Sequence, residues 1–168
     1  MRIIDTHQHL WNHEQFSYSW CKDLPALNRT FTLDDYLDAA AGSGIERAVF
    51  VECDVDEPYG PDETRFYHAL AEKHPVVAGI VASCRPEHGD FAAELKTLGR
   101  LPLVKGVRRV LHVVSDEISQ SPRFVDNVRR LAEHGLSFDL CVLERQLPLA
   151  RALVEKCPEV SFILDHCG

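Results

Sequence analysis

Six short apolar runs, separated by stretches of helical length, constrain this chain more than any other feature. The runs are Arg2–Thr6, Arg47–Glu52, Val76–Ser83, Leu103–Arg109, Ser137–Val142 and Val160–Asp165. Several are apolar on both faces, the mark of parallel strands covered by helices. Helical segments are expected between them, near residues 33–43, 62–74, 89–99, 122–134 and 147–157. The punctuation agrees. Thr32 precedes Leu33-Asp34-Asp35, an N-cap followed by carboxylates in the first turn. Ser121-Pro122 is an N-cap with proline at the first helical position. Gly44 and Gly135 stop helices, and Pro75 and Pro158 block their continuation.

Strand–helix alternation of this kind predicts a parallel sheet with right-handed crossovers. A doubly wound sheet and a (β/α)8 barrel both fit. No G-x-G-x-x-G follows the first run, so a dinucleotide fold has no support. Polar residues recur where the runs end: His7 and His9, Glu52, Arg108 and Arg109, then Asp165 and His166. Barrel enzymes draw their chemistry from that rim. The expected fold is therefore an α/β (β/α)8 TIM barrel, truncated after the sixth strand. Residues 1–168 are expected to form one domain holding about six of the eight βα units. Outer strands lined by Ile3, Phe162 or Ile163 and Leu164 would then lack neighbours. Such edges recruit other chains, so self-association into a homo-oligomer is expected.

Composition excludes several roles. The net charge is -8, from 18 basic and 26 acidic residues, and no basic run offers a nucleic-acid footprint. No apolar stretch approaches the ~20 residues that span a membrane, and the first residues do not read as a signal peptide. The six cysteines include no C-x-x-C pair, and Cys53, Cys84 and Cys141 sit in or beside apolar runs. A reduced, cytoplasmic protein with buried thiols is expected.

The sharpest chemical signal is Asp5-Thr6-His7-Gln8-His9. Residues at i and i+2 on a strand share a face. The two imidazoles then leave the backbone about 6–7 Å apart, able to share one divalent metal or grip one polar substrate. Arg108 and Arg109 are adjacent, so only one can face the barrel interior and grip a carboxylate or sugar hydroxyls; the other is expected to pair with a helix carboxylate. Lys105 shares the face of Arg109, and His112 follows in the loop. Glu52 could orient a ligating histidine or a substrate hydroxyl, and Asp139 is a weaker candidate of the same kind. The long segment from His13 to Thr30 follows Trp11 and carries Phe16, Tyr18 and Trp20. These rings anchor a loop or stack on sugar rings, and anchoring is the commoner role. His68, His74 and His134 are expected on helix surfaces, and His88 has no assigned role.

Four motifs together resemble the amidohydrolase-related TIM-barrel hydrolases. They are Ile4-Asp5-Thr6-His7-Gln8-His9-Leu10-Trp11, Val51-Glu52-Cys53-Asp54-Val55-Asp56, Val104-Lys105-Gly106-Val107-Arg108-Arg109-Val110-Leu111-His112 and Ile163-Leu164-Asp165-His166-Cys167-Gly168. The subgroup they are most similar to is the sugar-lactone hydrolases of the fuconolactonase type. The resemblance implies a catalytic and metal site of His7, His9 and His166, with zinc the expected divalent ion. It implies a small-molecule substrate, a sugar lactone or related cyclic ester, and Glu52, Lys105, Arg108, Arg109 and His112 are the candidates to hold it. The family's strand-eight aspartate has no counterpart in these residues. Phe138–Val142 also lacks the histidine that many metal-dependent relatives carry there. Two other outcomes fit the same residues: a decarboxylase of the superfamily, or a truncated, catalytically inactive domain.

Overall fold

All six apolar runs form strands in the computed structural model, which describes residues 2–168 apart from the side chain of Cys167. The chain divides into two compact units, one reaching to Ser83 and the other running Cys84–Gly168. In the first, β1 (Ile3–Gln8), α1 (Leu33–Ala39), β2 (Ile45–Val51), α2 (Gly60–Lys73) and β3 (Val77–Ser83) follow in order. β1 pairs parallel to β2, Asp5 opposite Ala48, and β2 pairs parallel to β3, Phe50 opposite Ile80. The second unit holds α3 (Phe91–Leu98), β4 (Val104–Val110), α4 (Asp116–Gln120), α5 (Pro122–Arg129), α6 (Leu131–His134), β5 (Ser137–Cys141), α7 (Leu147–Lys156) and β6 (Phe162–Leu164). β4 pairs parallel to β5, Arg108 opposite Asp139, and β5 pairs parallel to β6, Leu140 opposite Leu164. Each crossover between paired strands carries helix, as parallel pairing demands.

Local signals explain the boundaries. Thr32 caps α1 reciprocally: its hydroxyl accepts the Asp35 amide and the Asp35 carboxylate accepts the Thr32 amide. Ser121 accepts the Phe124 amide at the start of α5. Gly135 ends α6 at φ +63, where a side chain would be strained. The segment expected as one helix over 122–134 is two. The Arg130 amide reaches back to the Asn127 carbonyl, three residues away, and this tightening breaks the run. The short helix α4 was not expected. Its five residues are too few for a periodicity, although Ser115-Asp116-Glu117 reads as a helix start.

The strands are buried as parallel strands should be. In β4 only Lys105 is exposed. Phe50 is fully buried and stacks on Tyr67 of α2, centroids 4.1 Å apart. Phe138 lies edge-on to both Phe124 of α5 and Phe162 of β6, at 6.0 Å each. Truncating such a ring to alanine costs about 3–5 kcal/mol. Gly106 is required by its neighbour, because a Cβ there would run into the Ser137 hydroxyl.

The segment between β1 and α1 is closed by an antiparallel bridge between Trp11 and Phe31. Trp11, Tyr18, Cys21, Cys53 and Val55 form a buried cluster, with Phe16, Leu27 and Phe31 packed against it. The loop's aromatic residues therefore serve mostly as anchors, as the commoner role requires. His68 corrects its expected surface position: it is 5% exposed on the inner side of α2. His74 and His134 are exposed.

Candidate active site

β1 ends in the two histidines. Their Nε2 atoms face each other at 3.1 Å, with the rings nearly perpendicular at 88°. Two nitrogens bound to one tetrahedral zinc at ~2.0 Å each lie ~3.3 Å apart, so the observed spacing fits two ligands of one ion. His9 is oriented from behind. Its Nδ1 lies 2.7 Å from the Val51 carbonyl. A carbonyl can only accept, so Nδ1 carries the hydrogen and Nε2 keeps its lone pair. His7 Nε2 then donates to His9 Nε2 in the metal-free pair. The Asp5 carboxylate shapes the strand end, taking the His7 amide on Oδ1 and the Tyr36 hydroxyl on Oδ2. Burial, with the bond to Asp5, pushes the Tyr36 hydroxyl up to about 12, so it stays a donor.

β2 leads into Glu52, which is buried, and its Oε2 accepts the Asp54 amide across the turn. Asp54 holds a left-handed backbone, φ +55. Two residues on, Asp56 ties this turn to the long loop, accepting the hydroxyls of Ser17 and Ser19 at 2.6 and 2.7 Å and the Ser19 amide. Burial opposes its ionisation, but these donors outweigh it and hold Asp56 below the usual carboxylate range. Below the turn, the Tyr18 hydroxyl donates to the buried Glu63 at 2.8 Å. Burial, then the Glu63 charge, pushes the Tyr18 hydroxyl far up, so it never ionises in the fold.

In the second unit Arg108 and Arg109 separate as adjacent strand residues must. Leu140, Phe162 and Leu164 line an apolar groove with Leu147, Ala150 and Val154 of α7, so that face of the sheet is the helix-facing one. Arg109 is in register with Leu140 and lies on it; Arg108, in register with Asp139, lies on the other. Arg108 Nη1 meets the Asp165 carboxylate at 3.2 Å, both side chains buried. Arg109 Nε meets Glu87 at 2.9 Å. The second arginine thus pairs with a carboxylate as expected, although Glu87 sits in the loop after β3 rather than on a helix.

Two expected site residues are placed differently. Lys105 is the second residue of β4, exposed, with its ammonium donating to the Pro102 carbonyl. It stands at the end of the strand opposite the rim, because face parity carries no information about position along the strand. Arg109, facing the helices, is turned away from the face of Arg108. His112 follows β4 and is exposed, 3.6 Å from the Cys141 sulfur. His166 is exposed, with a left-handed backbone at φ +56. Among the described residues no group of three or more His, Cys, Asp or Glu side chains has metal-binding spacing, so His7 and His9 stand as a two-nitrogen set. Asp165 was legible as a polar rim residue but not as the partner of Arg108. Glu63 lies in no motif, and Asp56 stood in the Val51–Asp56 motif without an assigned role.

Residues 4–168 match the family model described as Amidohydrolase. The L-fucono-1,5-lactonase of Burkholderia ambifaria is 28% identical over 98% of this chain and 56% of its own length. Among solved structures, a zinc-bound amidohydrolase from Burkholderia multivorans superposes with a TM-score of 0.86 at 24% identity, over all of this chain and 58% of that one. The 5-carboxyvanillate decarboxylase of Sphingomonas paucimobilis superposes with a TM-score of 0.69 at 13% identity, over 97% of this chain and 67% of that one. The chain spans 55–62% of the length of the curated relatives it matches. The fold is that of the amidohydrolase TIM barrels, represented by six strands and the helices between them.

Proposed function

The chain belongs to the amidohydrolase family, and from that premise we propose that it serves a cytoplasmic hydrolase of sugar lactones or related cyclic carboxylic esters. The observation that carries the proposal is the convergence of His7 Nε2 and His9 Nε2 at 3.1 Å, with His9 Nδ1 committed to the Val51 carbonyl. The donor set fits a zinc ion: two imidazole nitrogens at ligand spacing, one with its tautomer fixed from behind. His7 and His9 would hold it. Bound there, zinc supplies Lewis acidity and a water acidified into the neutral range.

Lactone hydrolysis joins a water oxygen to the carbonyl carbon and breaks the bond from that carbon to the ring oxygen. The ring oxygen leaves with the electron pair and takes up the proton that water gives up. This chain's residues bind and orient. Arg108 is proposed to orient substrate oxygens, its guanidinium held in place by the ion pair with Asp165. Glu52 is proposed to accept substrate hydroxyls at the end of β2, and His112 to border the substrate at the end of β4. Lys105 and Arg109 are not retained, given their positions. Decarboxylation is the second reading, favoured by the likeness of fold to a decarboxylase and by a buried arginine suited to a carboxylate. The partner in either case is a small molecule. No helix among the described residues is long and apolar enough to cross a membrane. The exposed Ile4, Ile163 and Leu164, at 59, 49 and 46%, support self-association.

Zinc titration of the purified chain tests the proposal, followed by acid release from L-fucono-1,5-lactone. His7→Ala and His9→Ala are expected to weaken zinc binding by about 100-fold or more and to abolish any zinc-dependent lactone opening. Unchanged zinc affinity in both variants overturns the metal assignment. Release of carbon dioxide from an aromatic carboxylate, without lactone opening, selects the decarboxylase.

A further inference from the structure

Of the chain's two tryptophans, Trp11 is buried at 9% exposure while Trp20 stands 37% exposed. An exposed ring on a long loop is ordinarily loose, but Trp20 is fixed at every side. Its Nε1 donates to the Cys53 carbonyl at 2.7 Å. Its ring meets Trp11 edge-on, centroids 5.8 Å apart. It sits in a 3₁₀ turn, Ser19–Cys21, whose first residue is tied to Asp56 by amide and hydroxyl and whose last is fully buried. The position of the ring follows from the same short segment that orients His9. Val51 gives its carbonyl to His9 Nδ1, and Cys53 gives its carbonyl to Trp20 Nε1. Between them the Glu52 amide turns the other way, to the Val81 carbonyl of β3. Alternate residues of an extended chain present their carbonyls to one flank, about 6–7 Å apart. The indole therefore stands one step beyond His9 on the same flank of β2, above the strand's C-terminal end.

We propose that Trp20 is a stacking platform for the ring of a sugar-derived lactone, a specificity subsite that rests on the lactonase reading above. A sugar ring has a face of C–H groups, weakly positive at the hydrogens and apolar, which complements the negative face of an indole. The indole is already immobilised, so binding costs little ordering. Ser19, Lys22 and Asp23 beside it in sequence are polar and exposed, with Leu24, 45% exposed, next along the chain. A single ring in that setting fits one small cyclic ligand rather than a protein partner, which needs an apolar patch of hundreds of Å².

The test uses the ¹⁵N-labelled chain, whose two tryptophans give two indole resonances, assigned with Trp20→Phe. The probe is galactono-1,4-lactone. The Trp20 resonance is expected to shift saturably while that of Trp11 does not. Trp20→Leu, which keeps apolar bulk without a ring face, is expected to weaken binding about tenfold, and Trp20→Phe to recover most of it. An unchanged far-ultraviolet circular dichroism spectrum and melting temperature in both variants verify their fold. The open-chain polyol galactitol is expected to give no saturable shift. Equal shifts with galactitol, or equal affinity in Trp20→Leu, overturn the platform. His9→Ala separates the two readings, because it is expected to lose zinc and lactone opening while keeping the Trp20 shift. Loss of the shift in that variant places the ligand on the histidines instead and overturns the platform.

Discussion

The two units treat the polar ends of their strands in opposite ways. In the first, neutral groups are held by hydrogen bonds: His9 by a carbonyl, His7 against His9, Tyr36 on Asp5 and Tyr18 on Glu63. In the second, full charges are set against each other and buried: Arg108 with Asp165, and Arg109 with Glu87. The difference is one of what each arrangement leaves available. An ion pair is largely self-satisfied and serves mainly to fix geometry. Two imidazoles aimed at one point are completed by a cation, which gives each nitrogen a better partner than the other ring. On the proposed reading metal binding rests with the histidines of the first unit, while the buried ion pairs lie in the second.

The largest expected effect tests the rigid side of this contrast. Asp165→Asn removes a buried negative charge from beside the Arg108 guanidinium, and breaking such a pair by removing one partner costs about 3–5 kcal/mol. For a chain of this size the melting temperature should fall by about 10 °C, measured by circular dichroism, with zinc affinity at His7 and His9 unchanged. A loss below about 1 kcal/mol would show that the pair is not the second unit's anchor. On the other side, Tyr18→Phe removes a neutral donor from the buried Glu63 carboxylate, and a cost of about 2 kcal/mol is expected from urea unfolding. If Tyr18→Phe proves costlier than Asp165→Asn, the ranking of the two units is reversed.

The smallest effect concerns pH. Burial, offset by Arg85 and reinforced by Asp90 and Glu87, pushes the half-buried Glu94 carboxyl of α3 from its ordinary 4.5 up to about 7. Between those values the folded state keeps a proton that the unfolded chain has released. Its contribution to stability is complete below pH 4.5 and is lost as pH rises toward about 7. With solvent screening the amount is about 1–2 kcal/mol. Glu94→Gln should flatten the pH dependence of urea midpoints across that window, and an unchanged slope would assign it to other groups.

Much of this protein was legible in one dimension. The near-continuous apolar runs dictated parallel strands, because only a strand covered on both faces can be apolar on both. The caps at Thr32 and Ser121 set helix starts, because a hydroxyl or carboxylate three residues from an orphan amide closes a local bond. His7 and His9 declared themselves by an i, i+2 spacing, since the strand period by itself brings such side chains to one face. What remained hidden depends on residues far apart in sequence. Arg108 finds Asp165 across 57 positions and Tyr18 finds Glu63 across 45. Which arginine turned inward, the burial of His68, the position of Lys105 and the fixing of Trp20 on the Cys53 carbonyl were all settled by packing. Strand register, helix placement and the desolvation of charge are cooperative properties of the folded chain, and no local pattern of residue types encodes them.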